Sequence, residues 1–272
     1  MLPKENSVSV LIRTKDVESH FRRLLWQLSS QTLQPSEIIV VDNFSSKEKL
    51  NEMIDLLSAA KDRIFSNRVR MKIVPISNQE FSYAYSANVG IHVAEGDLVC
   101  VTNGHCLPLS ESWLENGVTH FKRQKVVAVG GYTLPHKSGT TWEKLAYDWC
   151  WRRLNELSGS YMRDRYFSTV NCILRKLLWE EYPFDEKMPE KIPDAEKFGG
   201  EDYDWGIEML ARGHRIVVEP KFDVYHSHGE DISQLVPKYL VWHRIRKKIR
   251  SFERPRESYT RLKKVKPLYY DL

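Results

Sequence analysis

The run Ser7-Val-Ser-Val-Leu-Ile12 and the run Glu37-Ile-Ile-Val-Val41 decide the fold. Both are short and apolar, as is typical of buried strands. Between them, residues 19–31 place Phe21, Leu24 and Leu28 at helical spacing, which predicts a helix. A strand, a helix and a second strand joined by short turns predict a parallel, right-handed βαβ unit. Ligands of such sheets bind beyond the carboxyl ends of the strands, so the residues that follow each run are the first place to look for a site.

The same alternation continues along the chain. Helices are predicted over Lys47–Ala60 and Tyr83–Ala94, and strands over Met71–Ile76, Leu98–Val101 and Val126–Gly131. Alternating strands and helices are characteristic of α/β proteins, and a chain of 272 residues can bury the core of one large domain. We therefore predict an α/β fold with a mixed, mainly parallel central sheet that is flanked by helices.

Basic residues are concentrated near the C-terminus of a chain whose net charge is +5. From Lys238 to Lys266 they recur while only Glu253 and Glu257 oppose them. Residues 236–252 mix aromatic and aliphatic side chains with these bases, a composition suited to the surface of an anionic bilayer. A solvated helix packed on its own domain, or a contact between protomers, explains the same pattern. We expect a helical basic tail over residues 233–272.

Targeting signals and spanning segments are not found in the sequence. No stretch approaches the roughly 20 apolar residues that a membrane helix needs, and the N-terminus lacks the apolar core of a secretory signal. We expect a cytoplasmic protein that lies peripherally on the inner face of the cell membrane. Because no recognised nucleic-acid-binding module occurs, nucleic acid is not an expected partner.

Polar residues follow the predicted strands of the first half. They are Arg13-Thr14-Lys15-Asp16, Asp42-Asn43 and Asn103-Gly104-His105. A carboxylate at such a strand end can accept hydrogen bonds from a base or a ribose, and a glycine turn lets the backbone approach a diphosphate. Asp and Asn after a strand are also common turn formers, so a purely structural role stays open for Asp42 and Asn43.

Carboxylates and imidazoles cluster in the second half. Glu201, Asp202 and Asp204 follow the pair Gly199-Gly200 and begin a predicted helix that runs to Arg212, and His226 and His228 come after it. Carboxylates in a first turn can do acid–base chemistry, or they can simply complement the helix dipole. If residues 222–228 form a strand, its period of two places both histidines on one face.

The order of these motifs resembles the family 2 glycosyltransferases. The resemblance rests on Val8-Ser-Val-Leu-Ile-Arg-Thr14, Ile39-Val-Val-Asp-Asn-Phe-Ser-Ser46, Asn88-Val-Gly90, Gly96-Asp97, Asn103-Gly-His105, Phe167-Ser-Thr-Val-Asn-Cys-Ile-Leu-Arg175 and Gly200-Glu-Asp202. It covers residues 7 to about 230. It implies a Rossmann-like GT-A fold, a nucleotide-diphosphate sugar donor, usually a divalent metal, and inversion at the anomeric carbon by direct displacement.

The resemblance also implies roles for individual residues. Arg13, Thr14 and Asp16 would line the nucleotide pocket, and Asp42 would contact the base or the ribose. Asp202 would be the base that takes the proton of the acceptor hydroxyl, Glu201 would orient acceptor hydroxyls, and Asp204 is the second choice for the base. The implied division of the chain is a nucleotide-sugar-binding half over 1–130, an acceptor-binding and catalytic half over 131–232, and the tail.

The metal motif departs from the two carboxylates usual in the family, because Asn103-Gly104-His105 stands in their place. It is similar to the D-x-H form of GT-A enzymes such as polypeptide N-acetylgalactosaminyltransferases, in which a second histidine completes the metal shell. We therefore expect His105 and His226, with His228 as a further candidate, to bind a divalent ion. Imidazole favours a transition ion, and manganese is the first expectation. A structural role for these histidines, or a metal-independent site, stays open.

These observations predict an inverting glycosyltransferase that moves a sugar from a nucleotide-sugar donor to a glycan or lipid-linked hydroxyl, in the synthesis of cell-surface polysaccharide. Because Asn103 and His105 replace carboxylates, a catalytically impaired sugar-nucleotide-binding or scaffold protein is the alternative. A nucleotidyltransferase is disfavoured, since no Gly-rich, basic phosphate loop follows the first strand.

Overall fold

The computed structural model describes residues 7–151, 167–253, 256–264 and 266–272, without the side chains of 149–151. Its strands are β1 (Val8–Thr14), β2 (Glu37–Asn43), β3 (Arg70–Ile76), β4 (Leu98–Asn103), β5 (Leu107–Pro108), β6 (Val126–Gly130), β7 (Thr133–Leu134), β8 (Asn171–Arg175), β9 (Arg215–Val218), β10 (Val224–Tyr225) and β11 (Tyr270–Asp271). The large sheet has the order β11-β3-β2-β1-β4-β8-β6-β9, and β5-β10-β7 form a small second sheet.

The α-helices of the described residues lie between these strands and after them. They are α1 (Phe21–Ser29), α2 (Lys47–Arg63), α3 (Tyr83–Val93), α4 (Trp113–Val118), α5 (Thr141–Trp151), α6 (Lys176–Glu181), α7 (Met188–Lys191), α8 (Ala195–Phe198), α9 (Glu201–Ala211) and α10 (Ile232–Arg250). Two hydrophobic clusters, built largely from alternate residues of the same strands, cover the two faces of the large sheet.

The first half forms as its apolar runs predict. β1 pairs in parallel with β2 and β4, and β2 pairs in parallel with β3. Val10, Leu11 and Ile12 are fully buried, because helices cover both faces of the sheet. α1 buries Phe21, Leu24, Leu25 and Leu28, the residues whose spacing predicted it. The mainly parallel α/β architecture is thereby confirmed.

The second half of the chain completes the same sheet. β8 runs antiparallel between β4 and β6, and β9 pairs in parallel with β6. The strand end of β4, which carries Asn103, therefore faces the loop before β8 and the start of α9. α9 begins after Gly200, whose φ is +129°, a conformation that side-chain-bearing residues rarely adopt. This arrangement brings polar segments of both halves to one edge.

The small sheet places the residues after β10 at the same edge of the large sheet. β10 pairs antiparallel with β5 and parallel with β7. Gly131 lies where the β6–β7 connection touches the backbone before β10, and a Cβ there would sit 1.9 Å from the carbonyl oxygen of Phe222. A strand over the whole of residues 222–228 does not form, because β10 ends at Tyr225. Beyond it only the His226 N–H continues the pairing, donating to the carbonyl of Leu134 at 2.7 Å.

The described C-terminal residues pack on the domain, which is one of the alternatives that the sequence left open. α10 buries Ile245 and Ile249 against α8 and α9. β11 pairs antiparallel with β3 and becomes the edge of the large sheet. No helix among the described residues combines the length and the apolar character that a membrane crossing requires. The proposed boundaries at 130 and 232 remain a prediction.

Candidate active site

A cavity of about 660 Å³ opens at the edge where the two halves meet. Arg13 and Asn103 reach it from the ends of β1 and β4, and the first turn of α9 contributes to the opposite wall. Predicted site residues that line the cavity are Arg13, Asn103, Glu201, Asp202, His226 and His228. The chain therefore brings residues separated by more than a hundred positions to one space.

His105, His226 and His228 form the histidine cluster. One ring nitrogen from each lies within 4.8 Å of the others, and the His105 ring centroid is 4.7 Å from that of His226 and 5.0 Å from that of His228. Nε2 of His105 and Nε2 of His226 are buried, and neither has a hydrogen-bond partner among the described residues. Buried polar atoms are normally paired, so these nitrogens have the features expected of metal ligands.

The protonation state of the cluster suits a metal ion. Burial and the neighbouring imidazoles His105 and His228 hold the pKa of His226 well below its ordinary value, and burial also lowers the pKa of His228. Both rings are therefore neutral near pH 7 and retain a lone pair. Neutral imidazole is a preferred ligand of divalent transition ions, and the donor set fits such an ion better than magnesium or calcium.

Glu18 orients His105. Its Oε2 is hydrogen-bonded to Nδ1 of His105, and its Oε1 accepts from the Thr14 hydroxyl at 2.7 Å. Burial opposes ionisation of Glu18, but the bonds to His105 and Thr14 outweigh it and lower the pKa of this carboxyl. A carboxylate on one imidazole nitrogen fixes the ring and leaves the other nitrogen to face a ligand.

Asp202 lies at the start of α9 with both carboxylate oxygens held by backbone groups. Oδ2 accepts from the Thr169 N–H at 3.2 Å and Oδ1 from the Tyr203 N–H at 2.6 Å. Its neighbour Glu201 is only 4% exposed. Burial, and then the charge of Asp202, raise the pKa of Glu201. The pair thus offers one oriented, accessible carboxylate beside one that resists ionisation.

Arg13 joins the two walls of the cavity. Its Nη2 donates to Oδ1 of Asn103 at 3.3 Å, and to both the carbonyl and the hydroxyl of Thr169 at 3.1 Å. Thr169 in turn holds Asp202 through its N–H. A buried guanidinium therefore connects the Asn103 turn to the carboxylate of the opposite half.

The other predicted nucleotide-binding residues lie beside this cavity rather than in its described lining. Asp42 accepts from both the N–H and the hydroxyl of Ser45, and burial raises its pKa. The Asp16 N–H donates to the same hydroxyl at 2.6 Å. Thr14 is bonded to Glu18, and the Gly104 N–H donates to the Arg13 carbonyl at 2.9 Å. The β1 and β2 ends are thus adjacent, and their contact with a nucleotide remains a prediction.

Asp204, the second choice for the base, is placed elsewhere by the structure. Its side chain is 1% exposed, accepts from the Tyr182 hydroxyl at 3.2 Å and pairs with Arg256. Because two positions along a helix turn a side chain by about 200°, Asp204 faces the core when Asp202 faces the cavity. Asp204 is therefore not among the residues that line the cavity, and its place as second choice for the base stays a prediction.

Two carboxylates of this region were missed by the sequence analysis. Glu18 contacts His105 over a separation of 87 residues, and nothing local in the sequence marks it. Glu143 bonds the backbone that carries His228. The pattern Thr140-x-x-Glu143 is a recognisable helix-capping signal, so its helix start could have been found, but its long-range contact could not.

Comparison with known proteins gives a family for this chain. The model of Glycosyl transferase family 2 matches residues 9–178. An O-antigen chain rhamnosyltransferase of Salmonella typhimurium is 21% identical over 234 residues, which are 82% of this chain and 67% of that protein.

Solved structures show the same fold. A mannosyltransferase from Pyrobaculum calidifontis, in complex with GDP-Man and Mn²⁺, superposes with a TM-score of 0.68 at 17% identity, over 93% of this chain and 67% of that one. TarS from S. aureus, in complex with UDP-GlcNAc, gives a TM-score of 0.62 at 16% identity, over 92% and 68% of the two chains. The family match covers more than half of the sequence, and the architecture is that of GT-A enzymes. The chain belongs to glycosyltransferase family 2.

Proposed function

We propose that this glycosyltransferase moves a sugar, with inversion, from a nucleotide-diphosphate donor to a hydroxyl of a glycan or lipid-linked acceptor in cell-surface polysaccharide synthesis. The carrying observation is that His226, His228 and Asp202 line one cavity. Such a cavity can hold a leaving diphosphate near the imidazoles and an acceptor hydroxyl near the carboxylate. The O-antigen role of the rhamnosyltransferase relative supports the biological setting.

Asp202 is the base of the proposed reaction. The acceptor oxygen attacks the anomeric carbon from the face opposite the diphosphate, Asp202 takes its proton, and the bond to the diphosphate breaks. A base must lie within hydrogen-bond reach of the proton that it removes. The N–H groups of Thr169 and Tyr203 hold the carboxylate in one orientation, and Arg13 fixes Thr169. Glu201, next to it, would orient the acceptor.

The histidine cluster would hold a divalent transition ion, with manganese as the first choice. When bound, the ion supplies positive charge that stabilises the leaving nucleoside diphosphate. The residues themselves do the positioning: Glu18 fixes the ring of His105, and burial keeps the His226 imidazole neutral.

A screen of nucleotide sugars tests this proposal. Release of nucleoside diphosphate is measured for GDP-, UDP- and dTDP-linked sugars, with Mn²⁺ and with a chelator, and NMR of the product determines the anomeric configuration. We expect turnover with one donor, its loss in chelator, and inversion. Turnover that is unaffected by chelation contradicts the metal role, and a product of retained configuration contradicts direct displacement.

One observation favours a second candidate, a sugar-nucleotide-binding protein with impaired catalysis. Asn103 replaces a carboxylate, and its Oδ1 accepts from Arg13 instead of adding negative charge to the cluster. Donor binding without any turnover in the same screen, across metals and acceptors, would support this candidate over the enzyme.

We also propose that α10 contacts an anionic membrane surface. Val236 and Leu240, on one face of α10, are 51% and 57% exposed, and Lys247 lies further along that face with Lys248 beside it. Apolar residues followed by cations suit the interface of an anionic bilayer. The cavity is lined by Lys238 and Trp242 of the same helix, so this contact would bring the site close to a lipid-linked acceptor.

A further inference from the structure

Glu143 holds the backbone of the loop that carries His228. Its Oε1 accepts from three consecutive N–H groups, those of His228 at 2.8 Å, Gly229 at 2.9 Å and Glu230 at 3.2 Å. The side chain is buried. Burial opposes its ionisation, but these bonds and that of Thr140 lower the pKa of Glu143. It is thus an anion at neutral pH, enclosed by backbone donors.

The same side chain caps α5. Its Oε2 accepts from the Thr140 N–H at 2.9 Å, and the Thr140 hydroxyl accepts from the Glu143 N–H at 3.1 Å. This is the reciprocal pattern of a capping box. A cap needs one carboxylate oxygen, so the second oxygen is available for the loop. The start of α5 and residues 228–230 are therefore one hydrogen-bonded unit.

Further bonds join the segment before α5 to the histidine cluster. The His136 N–H donates to the Ser227 hydroxyl at 2.8 Å, and His136 Nε2 lies 3.1 Å from the His105 carbonyl. The Thr140 hydroxyl donates to the Glu230 carbonyl at 2.6 Å. Residues 136–143 thus brace the backbone on both sides of the cluster, although none of them is one of its three imidazoles.

We propose that Glu143 is a positioning residue for His228 and sets the affinity of the histidine cluster for a divalent ion. The inference rests on the proposed metal role of the cluster. β10 ends before the histidines, so the sheet does not fix the backbone at His228. Glu143 supplies that constraint instead. Groups that bond the side chain of a metal ligand change affinity by about 10-fold to 100-fold when they are removed, and we expect an effect of this order from Glu143, which holds the backbone of the ligand.

Binding of Co²⁺ to the full chain tests the inference without any turnover. Its visible absorption reports both affinity and coordination. We expect Glu143→Ala to weaken Co²⁺ binding by about 10-fold to 100-fold and to alter the spectrum. Glu143→Gln retains one acceptor oxygen, so a smaller loss is expected. In a His228→Ala background, Glu143→Gln should have no further effect, because the ligand that it positions is gone.

Asp231→Ala is the matched control for Glu143→Ala. Asp231 caps α10 through the Ser233 and Gln234 N–H groups at the end of the same loop, and we expect its loss to lower Tm without changing Co²⁺ binding. Normal Co²⁺ binding by both Glu143 variants would overturn the inference and leave the metal role intact. Equal losses of affinity from Glu143→Gln with and without His228 would also overturn it. Failure of the unaltered chain to bind Co²⁺ would contradict both the proposed metal role and this inference.

Discussion

Two carboxylates of one helical turn have opposite environments. Asp202 lines the cavity, whereas Asp204 is buried against Tyr182 and Arg256. We expect Asp202→Asn to lower the rate of sugar transfer by about 10²-fold to 10⁴-fold while donor affinity stays unchanged, because the amide keeps the shape but cannot take a proton. The measurements are nucleoside-diphosphate release and donor titration.

Asp204→Asn is the control for that experiment. It should lower stability through the loss of its bond to Arg256, with little effect on the rate of the folded enzyme. Near-normal transfer by the Asp202 variant would remove Asp202 from the role of base.

Asp223 makes stability depend on pH. Burial raises the pKa of Asp223 to about 7, while the Tyr132 N–H donates to its Oδ1 at 2.7 Å. Because the folded state holds this proton more tightly than the unfolded chain, stability falls as pH rises from the ordinary value of 3.8 through about 7. We expect Asp223→Asn, which cannot ionise, to raise Tm more at about pH 8 than at about pH 5. An equal difference in Tm at both pH values would contradict this.

At the scale of elements, residues 256–264 form a C-terminal segment that is tied by ion pairs to the second half of the chain. Arg256 pairs with Asp204 and lies 3.9 Å from Asp185, and its side chain is 8% exposed. We expect Arg256→Ala to reduce the free energy of unfolding by about 3–5 kcal/mol, since it leaves the buried carboxylate of Asp204 without a charged partner. Urea denaturation measures the change.

Arg244 provides the comparison for this prediction. It pairs with Asp194 at 3.7 Å, but both side chains are exposed, so Arg244→Ala should cost about 0–1 kcal/mol. Similar losses from the two variants would show that the C-terminal segment does not anchor through Arg256.

The helices and strands of the first half could be predicted from sequence because their signals are local. The predicted and observed limits of β1 to β4 and of α1 to α3 differ by at most three residues. Residues 222–228 do not form one strand: Pro220–Phe222 is a short 3₁₀ helix, β10 ends at Tyr225, and the His228 N–H is bound by Glu143, far away in sequence. For the basic C-terminal residues the sequence left a helix packed on its own domain open beside a membrane surface, because a charge count cannot show that Arg256 and Arg261 pair with buried carboxylates.

At the scale of the whole molecule, the membrane proposal depends on the cations that remain exposed. Lys247 and Lys248 are exposed on α10, and each basic residue near an anionic surface contributes about 1 kcal/mol. We expect the double variant Lys247→Ala, Lys248→Ala to bind phosphatidylserine vesicles roughly 30-fold more weakly, as measured by cosedimentation.

Lys122 and Lys125, exposed near β6, give a control with the same change of net charge. Their replacement by Ala should leave vesicle binding nearly unchanged. Equal effects of the two pairs would indicate a general electrostatic attraction, and no binding by the unaltered chain would contradict the membrane proposal.

The site as a whole was only partly predictable. The identities of Asp202, His105, His226 and His228 came from motif order. In the structure Asp202, His226 and His228 line one cavity, and His105 lies against the two other histidines. Their supports, Glu18, Glu143 and Thr169, could not be foreseen, since each acts across 33 residues or more. The spacing of apolar residues predicts how a segment packs. It does not predict which distant backbone N–H groups a carboxylate will bind.

The close approach of Gly131 to Phe222 limits which residues position 131 can accept. The obstructing atom belongs to a main chain, so rotation of a side chain cannot make room for even a methyl group. Any larger residue would act as a wedge between the two crossing segments and would push the approach to His226 outward. In a saturation library at position 131 that is selected for sugar transfer, we expect only glycine to be recovered. Recovery of larger residues would show that the two segments do not cross this closely in the working enzyme.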